Sequence, residues 1–382
     1  MTHKTRDQHL FGPGPKRILA LDGGGIRGIL TLQVLRRIEE VVRQRTGRAD
    51  ACLADYFDLV GGTSTGAIIA AGVALGRTVD ELDNLYRKLG ATIFERRWHR
   101  WGLFRSKFPA KALRAALEAE FGGVRLGDDE IRSGLAIMTK RLDTGSPWIV
   151  HNNPRGKYFG PRAGGTATPN RDFLLRDIVR ASTAAPHFFD PERIKVAADI
   201  DGAFVDGGVS PHNDPALQLV LLAALEGYAF GWSLGANNLL VVSVGTGSQE
   251  LTLDADEVME MPAGLLAVRS LSSLMDDAAA LNQTLLQWLS SSPTARTIDR
   301  EVGDLSGDLL TGVPLLTYLR YDAQLESGWL SEHLGLDLPE DSVESLRAMD
   351  DPQNLDQLAT VGRAAAERLF DPAHLPAGFD ID

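Results

Sequence analysis

The chain has 382 residues, 44% of them hydrophobic and 24% charged, the balance of an ordinary globular protein with a sizeable core. A formal charge of −12, from 39 Lys and Arg against 51 Asp and Glu, excludes a general binder of nucleic-acid polymers. The single cysteine, Cys52, excludes an intramolecular disulfide framework and a cysteine metal cluster.

Met1–Leu10 is polar and lacks the apolar stretch of a signal peptide. No window approaches the ~18 consecutive apolar residues of a membrane span, so the expectation is a cytoplasmic protein. Residues 1–15, closing with Gly12-Pro13-Gly14-Pro15, read as a disordered lead. Ile18–Leu21 reads as a short buried strand, followed by the glycine cluster Asp22-Gly23-Gly24-Gly25-Ile26-Arg27-Gly28. A helix is predicted over Ile29–Arg45, with Val34, Leu35, Ile38, Val41 and Val42 on one face. Leu59 and Val60 end a second strand, and Ala67–Leu75 reads as the next helix. This strand–helix alternation predicts an α/β fold with a mainly parallel sheet. Further strands are expected at Leu135–Thr139, Trp148–Val150, Phe204–Val205 and Leu239–Val244. Helices are expected at Pro109–Glu120, Leu174–Ala181, Pro215–Leu225 and around Leu265–Leu289. No repeat or flexible linker interrupts the chain, so residues 16–250 are read as a core with a helical portion, 251–382, packed on it in one domain. Residues 331–382 hold twelve acids against three arginines, a net −9 that leaves −3 for the rest, and read as a solvated helical surface.

Chemistry concentrates in three glycine-framed motifs. Gly62-Thr63-Ser64-Thr65-Gly66 puts a serine at a strand-to-helix corner, where a tight turn pushes the hydroxyl outward, and Gly62 and Gly66 keep side chains from colliding across it. Gly23-x-Gly25-x-x-Gly28 follows a strand and opens a helix, the context of a dinucleotide turn, but the next strand does not end in the acid that such a turn needs for a ribose. No Lys-Ser/Thr pair follows, as a phosphate loop requires. The remaining functional reading is an oxyanion hole, with the N–H groups of Gly24 and Gly25 as donors and Arg27 adding positive charge. A tight helix entry without a catalytic role stands beside it. On the oxyanion reading, Gly25→Ala costs turnover, with little loss of stability if the turn tolerates the methyl.

A serine needs a base. His333 and His374 are the candidates for a Ser–Asp–His order, yet both sit in acidic helical sequence. Asp206 ends a strand and precedes Gly207-Gly208, which lets its carboxylate approach a neighbouring elbow; as the weaker base it needs a dry site or tight geometry.

Together, Asp22–Gly28, Gly62–Gly66 and Asp206–Gly208 resemble the patatin-like phospholipases, among them plant patatins and calcium-independent phospholipases A2. Ala54–Asp58, Arg180–Pro186, Val244–Gly247 and Tyr318–Tyr321 support the resemblance, which runs from about residue 16 to about 370. It implies a three-layer α/β/α fold and a Ser64–Asp206 dyad. It also implies an oxyanion hole in the loop of Gly23, Gly24, Gly25, Arg27 and Gly28, with Gly62, Gly66, Gly207 and Gly208 as support. The implied reaction is hydrolysis of acyl esters of phospholipids or related lipids through an acyl-serine. No cofactor or metal is implied. Some patatin-like effectors of antiphage defence respond to a cyclic nucleotide; no residue pattern here marks a pocket for a cyclic dinucleotide activator. A lipid- or protein-binding module on the same scaffold is disfavoured because every chemical position is filled.

Phe94–Lys107 interleaves basic residues with Trp and Phe, a composition suited to peripheral contact with an anionic membrane and equally to a packed surface helix. Asn152–Asp172 is a long Gly/Pro/Arg-rich loop, read either as a lid or as an ordered surface connection. Asn213-Asp214-Pro215 either orients the dyad or caps a helix. Ser182 and Thr183 are read as close packing beside the active site.

Overall fold

In the computed structural model, which describes residues 3–93, 110–186, 188–249 and 254–381, a mixed sheet forms the centre of the molecule. Its strands are β1 (Lys16–Leu21), β2 (Leu59–Thr63), β3 (Gly134–Arg141), β4 (Ser146–His151), β5 (Glu192–Ala197), β6 (Ile200–Asp206), β7 (Leu239–Val244), β8 (Ser290–Ser291) and β9 (Leu316–Tyr321). They run in the order β5-β6-β3-β2-β1-β7-β9-β8, with β4 paired to β3. The pairs β1–β2, β1–β7, β2–β3, β7–β9 and β8–β9 are parallel; β3–β4, β3–β6 and β5–β6 are antiparallel. β1, β2 and β7 are buried at every position, the mark of strands covered on both faces.

The helices are α1 (Arg6–Phe11), α2 (Gly28–Thr46), α3 (Leu53–Tyr56), α4 (Thr65–Ala74), α5 (Val79–Ile93), α6 (Ala110–Phe121) and α7 (Leu175–Ser182). After them come α8 (Ala216–Ala224), α9 (Ala255–Met259), α10 (Ala263–Leu289), α11 (Ser327–Trp329), α12 (Glu340–Leu346) and α13 (Leu355–Leu369). Strand alternation sorts them into layers. Leu19 and Leu21 of β1 join one core with α2, α4, α7 and α13. Ile18 and Ala20 point the other way, into a second core with Leu10 of α1, residues of α8 and Leu286 of α10. Helices therefore cover both faces.

Within the expected disordered lead, the described residues 3–15 carry a helix, α1. α1 is closed by a Thr5–Gln8 capping box. Leu10 is buried and its carbonyl accepts from the Trp232 indole N–H at 2.8 Å. The His9 ring meets the buried Asp58 at 3.0 Å, and Lys16 Nζ donates to the His9 carbonyl at 2.6 Å. The C-terminal portion supplies β9 to the central sheet, and α13 lies along α2 closely enough that a Cβ on Gly362 would come within 2.8 Å of the Leu30 carbonyl oxygen. Phe94–Lys107 lies outside the described residues. Among the described residues no helix is long and apolar enough to cross a membrane.

Candidate active site

The carboxyl ends of β1, β2 and β7 converge, and each runs straight into a glycine-containing turn. Ser64 stands between β2 and α4 as the helix N-cap, with φ +54°, the left-handed side that a non-glycine residue rarely occupies. The turn closes because Gly62 and Gly66 touch: a Cβ on Gly62 would sit 2.1 Å from the Gly66 carbonyl oxygen, and one on Gly66 would sit 2.2 Å from that of Leu21. The elbow is thus pressed against the end of β1. Ser182, at the end of α7, holds it from the other side. Its hydroxyl accepts from the Ser64 N–H at 2.8 Å and donates to the Met138 carbonyl of β3 at 2.6 Å. The expectation of packing beside the site is met, with a bonded role added.

Asp206 ends β6, which pairs with β3 through Thr139. Its carboxylate accepts from the Gly208 N–H at 2.7 Å and lies near enough to the Ser64 side chain for that side chain to pull its pKa down. Burial pushes its pKa up to about 6, against the pull of Ser64, the Gly208 N–H and the charge of Arg180. Arg180 is buried on α7, donates to the Asp190 carbonyl at 2.9 Å and faces Glu192 at 3.6 Å. Gly207 and Gly208 open a short 3-10 turn after Asp206, and Met275 of α10 lies beside Gly208.

In the Gly23–Gly28 loop most N–H groups are occupied. Gly23 donates to the Asn213 carbonyl at 3.2 Å, Ile26 to that of Met349 at 2.9 Å, and Gly28 to those of Gly25 and Ile26. Among the described residues, the N–H groups of Gly24 and Gly25 have no such acceptor. Within the predicted set, Gly24 and Gly25 are therefore the two with donors to offer, and Gly23 and Gly28 brace the turn. Arg27 is buried, its Nε 3.5 Å from the Gly24 carbonyl, so it props the loop from behind; burial lowers its pKa. Gly25 has φ +60°, and a Cβ there would lie 2.2 Å from the Met349 carbonyl oxygen. The expectation of little stability loss held only for a turn that tolerates the methyl, and this turn does not, so Gly25→Ala costs stability as well as turnover.

Tyr86, which the sequence did not mark, and Arg320, noted only within the Tyr318–Tyr321 segment, complete the site. The Tyr86 hydroxyl of α5 meets the Thr65 hydroxyl at 2.6 Å and donates to the Gly25 carbonyl, tying elbow to loop. Arg320 of β9 grips Asp22, just ahead of the glycines, at 3.0 and 2.7 Å. A lone Tyr on an amphipathic helix gives no signal; an Arg in the apolar run Leu316–Tyr321 does, because a cation in a central strand needs buried partners. Asn213 wedges its side chain between Gly23 and Gly208, its Nδ2 3.5 Å from the Gly23 carbonyl, and Asp214 caps α8 through the Ala216 N–H at 2.9 Å. Asn152–Asp172 is an ordered connection. Arg155 stacks on the Phe11 ring at 3.6 Å, and the Thr168 N–H bonds the Val196 carbonyl of β5. His374 meets the Tyr321 hydroxyl at 3.0 Å and His333 stacks on Trp329, so neither faces Ser64.

A serine on a strained elbow, a buried carboxylate and two unspent amides at a helix entry form the layout of an acyl-transfer centre. The patatin-like phospholipase family model matches residues 19–220, more than half of the chain. The chain belongs to the patatin-like phospholipase family. Members of this family are lipid hydrolases. A cGAMP-activated phospholipase of Escherichia coli (strain TW11681) is 28% identical over 241 residues, covering 62% of this chain and 64% of its own length. One of Vibrio cholerae serotype O1 (strain ATCC 39315 / El Tor Inaba N16961) is 32% identical over 209 residues, covering 52% and 55%. The Solanum tuberosum patatin group J-1 is 31% identical over 248 residues, 60% of each. The chain thus spans less than two thirds of these relatives' own lengths.

Proposed function

We propose that this patatin-like phospholipase is a lipid acyl hydrolase that cleaves carboxylic esters with a Ser64–Asp206 dyad. Ser64 Oγ attacks the ester carbonyl carbon while Asp206 takes its proton, and the N–H groups of Gly24 and Gly25 hold the developing oxyanion. Asp206 returns the proton to the leaving alcohol, which leaves an acyl-serine. Water then repeats the sequence, again with Asp206 as base, and releases the fatty acid. One observation supports the reading: Ser64, left-handed at the elbow, stands near the buried Asp206 carboxylate, whose pKa, about 6, suits a base at neutral pH. The test is a fluorophosphonate probe followed by a phospholipid panel with product mass spectrometry. Labelling at Ser64 and release of free fatty acid, both lost in Ser64→Ala, are expected. Undiminished labelling or hydrolysis in Ser64→Ala removes the assignment.

A second reading concerns control. Two of the relatives bear the description of cGAMP-activated phospholipases, which favours cGAMP as activator of this chain. Plant patatins match over a comparable span, so the likeness alone does not separate the two. Titrating cGAMP into the same lipid assay does: a saturable rise in rate supports activation, and an unchanged rate removes it.

A further inference from the structure

We propose that Arg320, on β9 and outside the span matched by the family model, is the positioning residue of the oxyanion loop. It grips Asp22 by two parallel bonds and thereby fixes where the Gly24 and Gly25 N–H groups lie relative to Ser64. The consequence for rate rests on the hydrolase reading above; the geometry does not.

The loop cannot hold itself. Three consecutive glycines bring the widest backbone freedom and no side chain to lock by packing, so their placement comes from the groups that grip the loop, Tyr86 at the Gly25 carbonyl among them, and from what holds its entry. Ahead of them stands Asp22, whose carboxylate takes Arg320 Nη1 at 3.0 Å and Nη2 at 2.7 Å. This two-point contact fixes direction as well as distance. The same guanidinium donates to Asp322 Oδ2 at 2.8 Å and to the Ser243 hydroxyl at 2.8 Å, with Asp214 Oδ2 at 3.5 Å. Asp322 also takes the Gly247 N–H at 2.8 Å, and Thr246, one residue earlier, donates its hydroxyl to the Gly23 carbonyl at 3.0 Å. The bonds therefore close a ring, from Arg320 through Asp22 to Gly23, across to Thr246 and Gly247, and back through Asp322.

A buried cluster of this kind is a costly way to join three strands. Arg320, Asp22 and Asp214 are almost wholly buried, and Arg320 Nε has no partner among the described residues. Apolar side chains of similar volume would hold β1, β7 and β9 together at least as well. They could not pin a carboxylate at the mouth of a glycine run. Lysine could not either, since it carries the charge without the fork.

The experiment compares Arg320→Lys and Asp322→Asn with the intact wild-type chain in three measurements. Hydrogen exchange is followed in peptides covering residues 22–28 and, as reference, residues 59–74. Turnover of a soluble p-nitrophenyl acyl ester gives kcat and KM separately, and a thermal melt gives stability. Faster exchange confined to residues 22–28 is expected, together with a kcat lower by roughly tenfold or more at a KM within about threefold. That loss is smaller than outright removal of an oxyanion donor causes. Exchange that rises equally in both regions, or kcat within about twofold of wild type, overturns the proposal. If the wild type hydrolyses no ester, the hydrolase reading fails while the exchange comparison still decides the clamp. If Arg320→Lys does not fold, Asp322→Asn, which keeps the side-chain volume, decides it.

Discussion

Asp206 carries opposite demands in one carboxyl group. Burial lifts its pKa from 3.8 to about 6, so at neutral pH the folded protein holds a charge that the interior disfavours. The group therefore contributes stability that is full below about pH 4 and is lost as the pH rises through about 6, a swing of roughly 3 kcal/mol at 1.36 kcal/mol per unit. Asp206→Asn keeps the side-chain volume and removes the charge. It should melt higher than wild type at pH 7.5, and the difference should narrow as the pH falls through 6 and vanish below about pH 4 in differential scanning calorimetry. The same substitution should cut turnover by a factor on the order of 10³ or more, since the proton acceptor is lost. In the wild type kcat/KM should rise with pH and reach half its plateau near pH 6. A profile with no inflection between pH 5 and 7, or an Asn variant no more stable at pH 7.5, would contradict a buried, functionally strained base.

At the scale of elements, what the sequence made legible follows burial. β1, β2 and β7 are apolar runs closed by glycine turns, and α2 shows its buried face at helical spacing, so their type and place can be read directly. β5 cannot: Arg193 and Lys195 alternate outward on a sheet edge, and the segment reads as loop. α1 hides for a different reason. Its propensity is unremarkable and its stability is tertiary, from Leu10, Trp232 and the His9–Asp58 contact, although the Thr5–Gln8 capping box was there to be read. The residues of the proposed dyad and the two proposed amide donors stand in glycine-framed turns, which are visible in the sequence itself. Ser182 on α7 was expected beside the site but its two bonds were not, and Tyr86 on α5 and Arg320 on β9 are single side chains that only the fold brings near. Ser182 on α7 tests that distinction. Ser182→Ala leaves the Ser64 N–H and the Met138 carbonyl without their partner at a buried position. The expected cost is about 1–3 kcal/mol of stability, with a fall in turnover beyond the loss of folded protein as the elbow relaxes. A melt within a degree of wild type and unchanged kcat would show the bonds to be dispensable.

For the molecule as a whole, the question is whether the span matched by the family model is a folding unit. Residues 19–220 contain the elbow, the oxyanion loop and Asp206, yet the structure argues that they cannot stand alone. β7 is buried along its length between β1 and β9. A chain ending at residue 249 keeps β7 and loses β9, which turns an apolar central strand, Leu239–Val244, into an unpaired edge. It also loses α13, so Leu30, Val34 and the other buried positions of α2 lose part of their cover; each large apolar side chain returned to water costs roughly 1.5–3 kcal/mol. Removal of Arg320 leaves Asp22 and Asp214 buried without the guanidinium between them, and an uncompensated buried charge costs about 3–5 kcal/mol. These losses together are comparable with the roughly 5–15 kcal/mol that usually separates a folded domain from its unfolded chain. The fragment 1–249 should therefore appear in the insoluble fraction, or show no cooperative melt and no fluorophosphonate labelling at Ser64, whereas the full chain melts cooperatively. A soluble fragment with a sharp thermal transition and an active Ser64 would show that β9, α13 and Arg320 are additions to a site complete without them, and would overturn the clamp proposal along with this prediction.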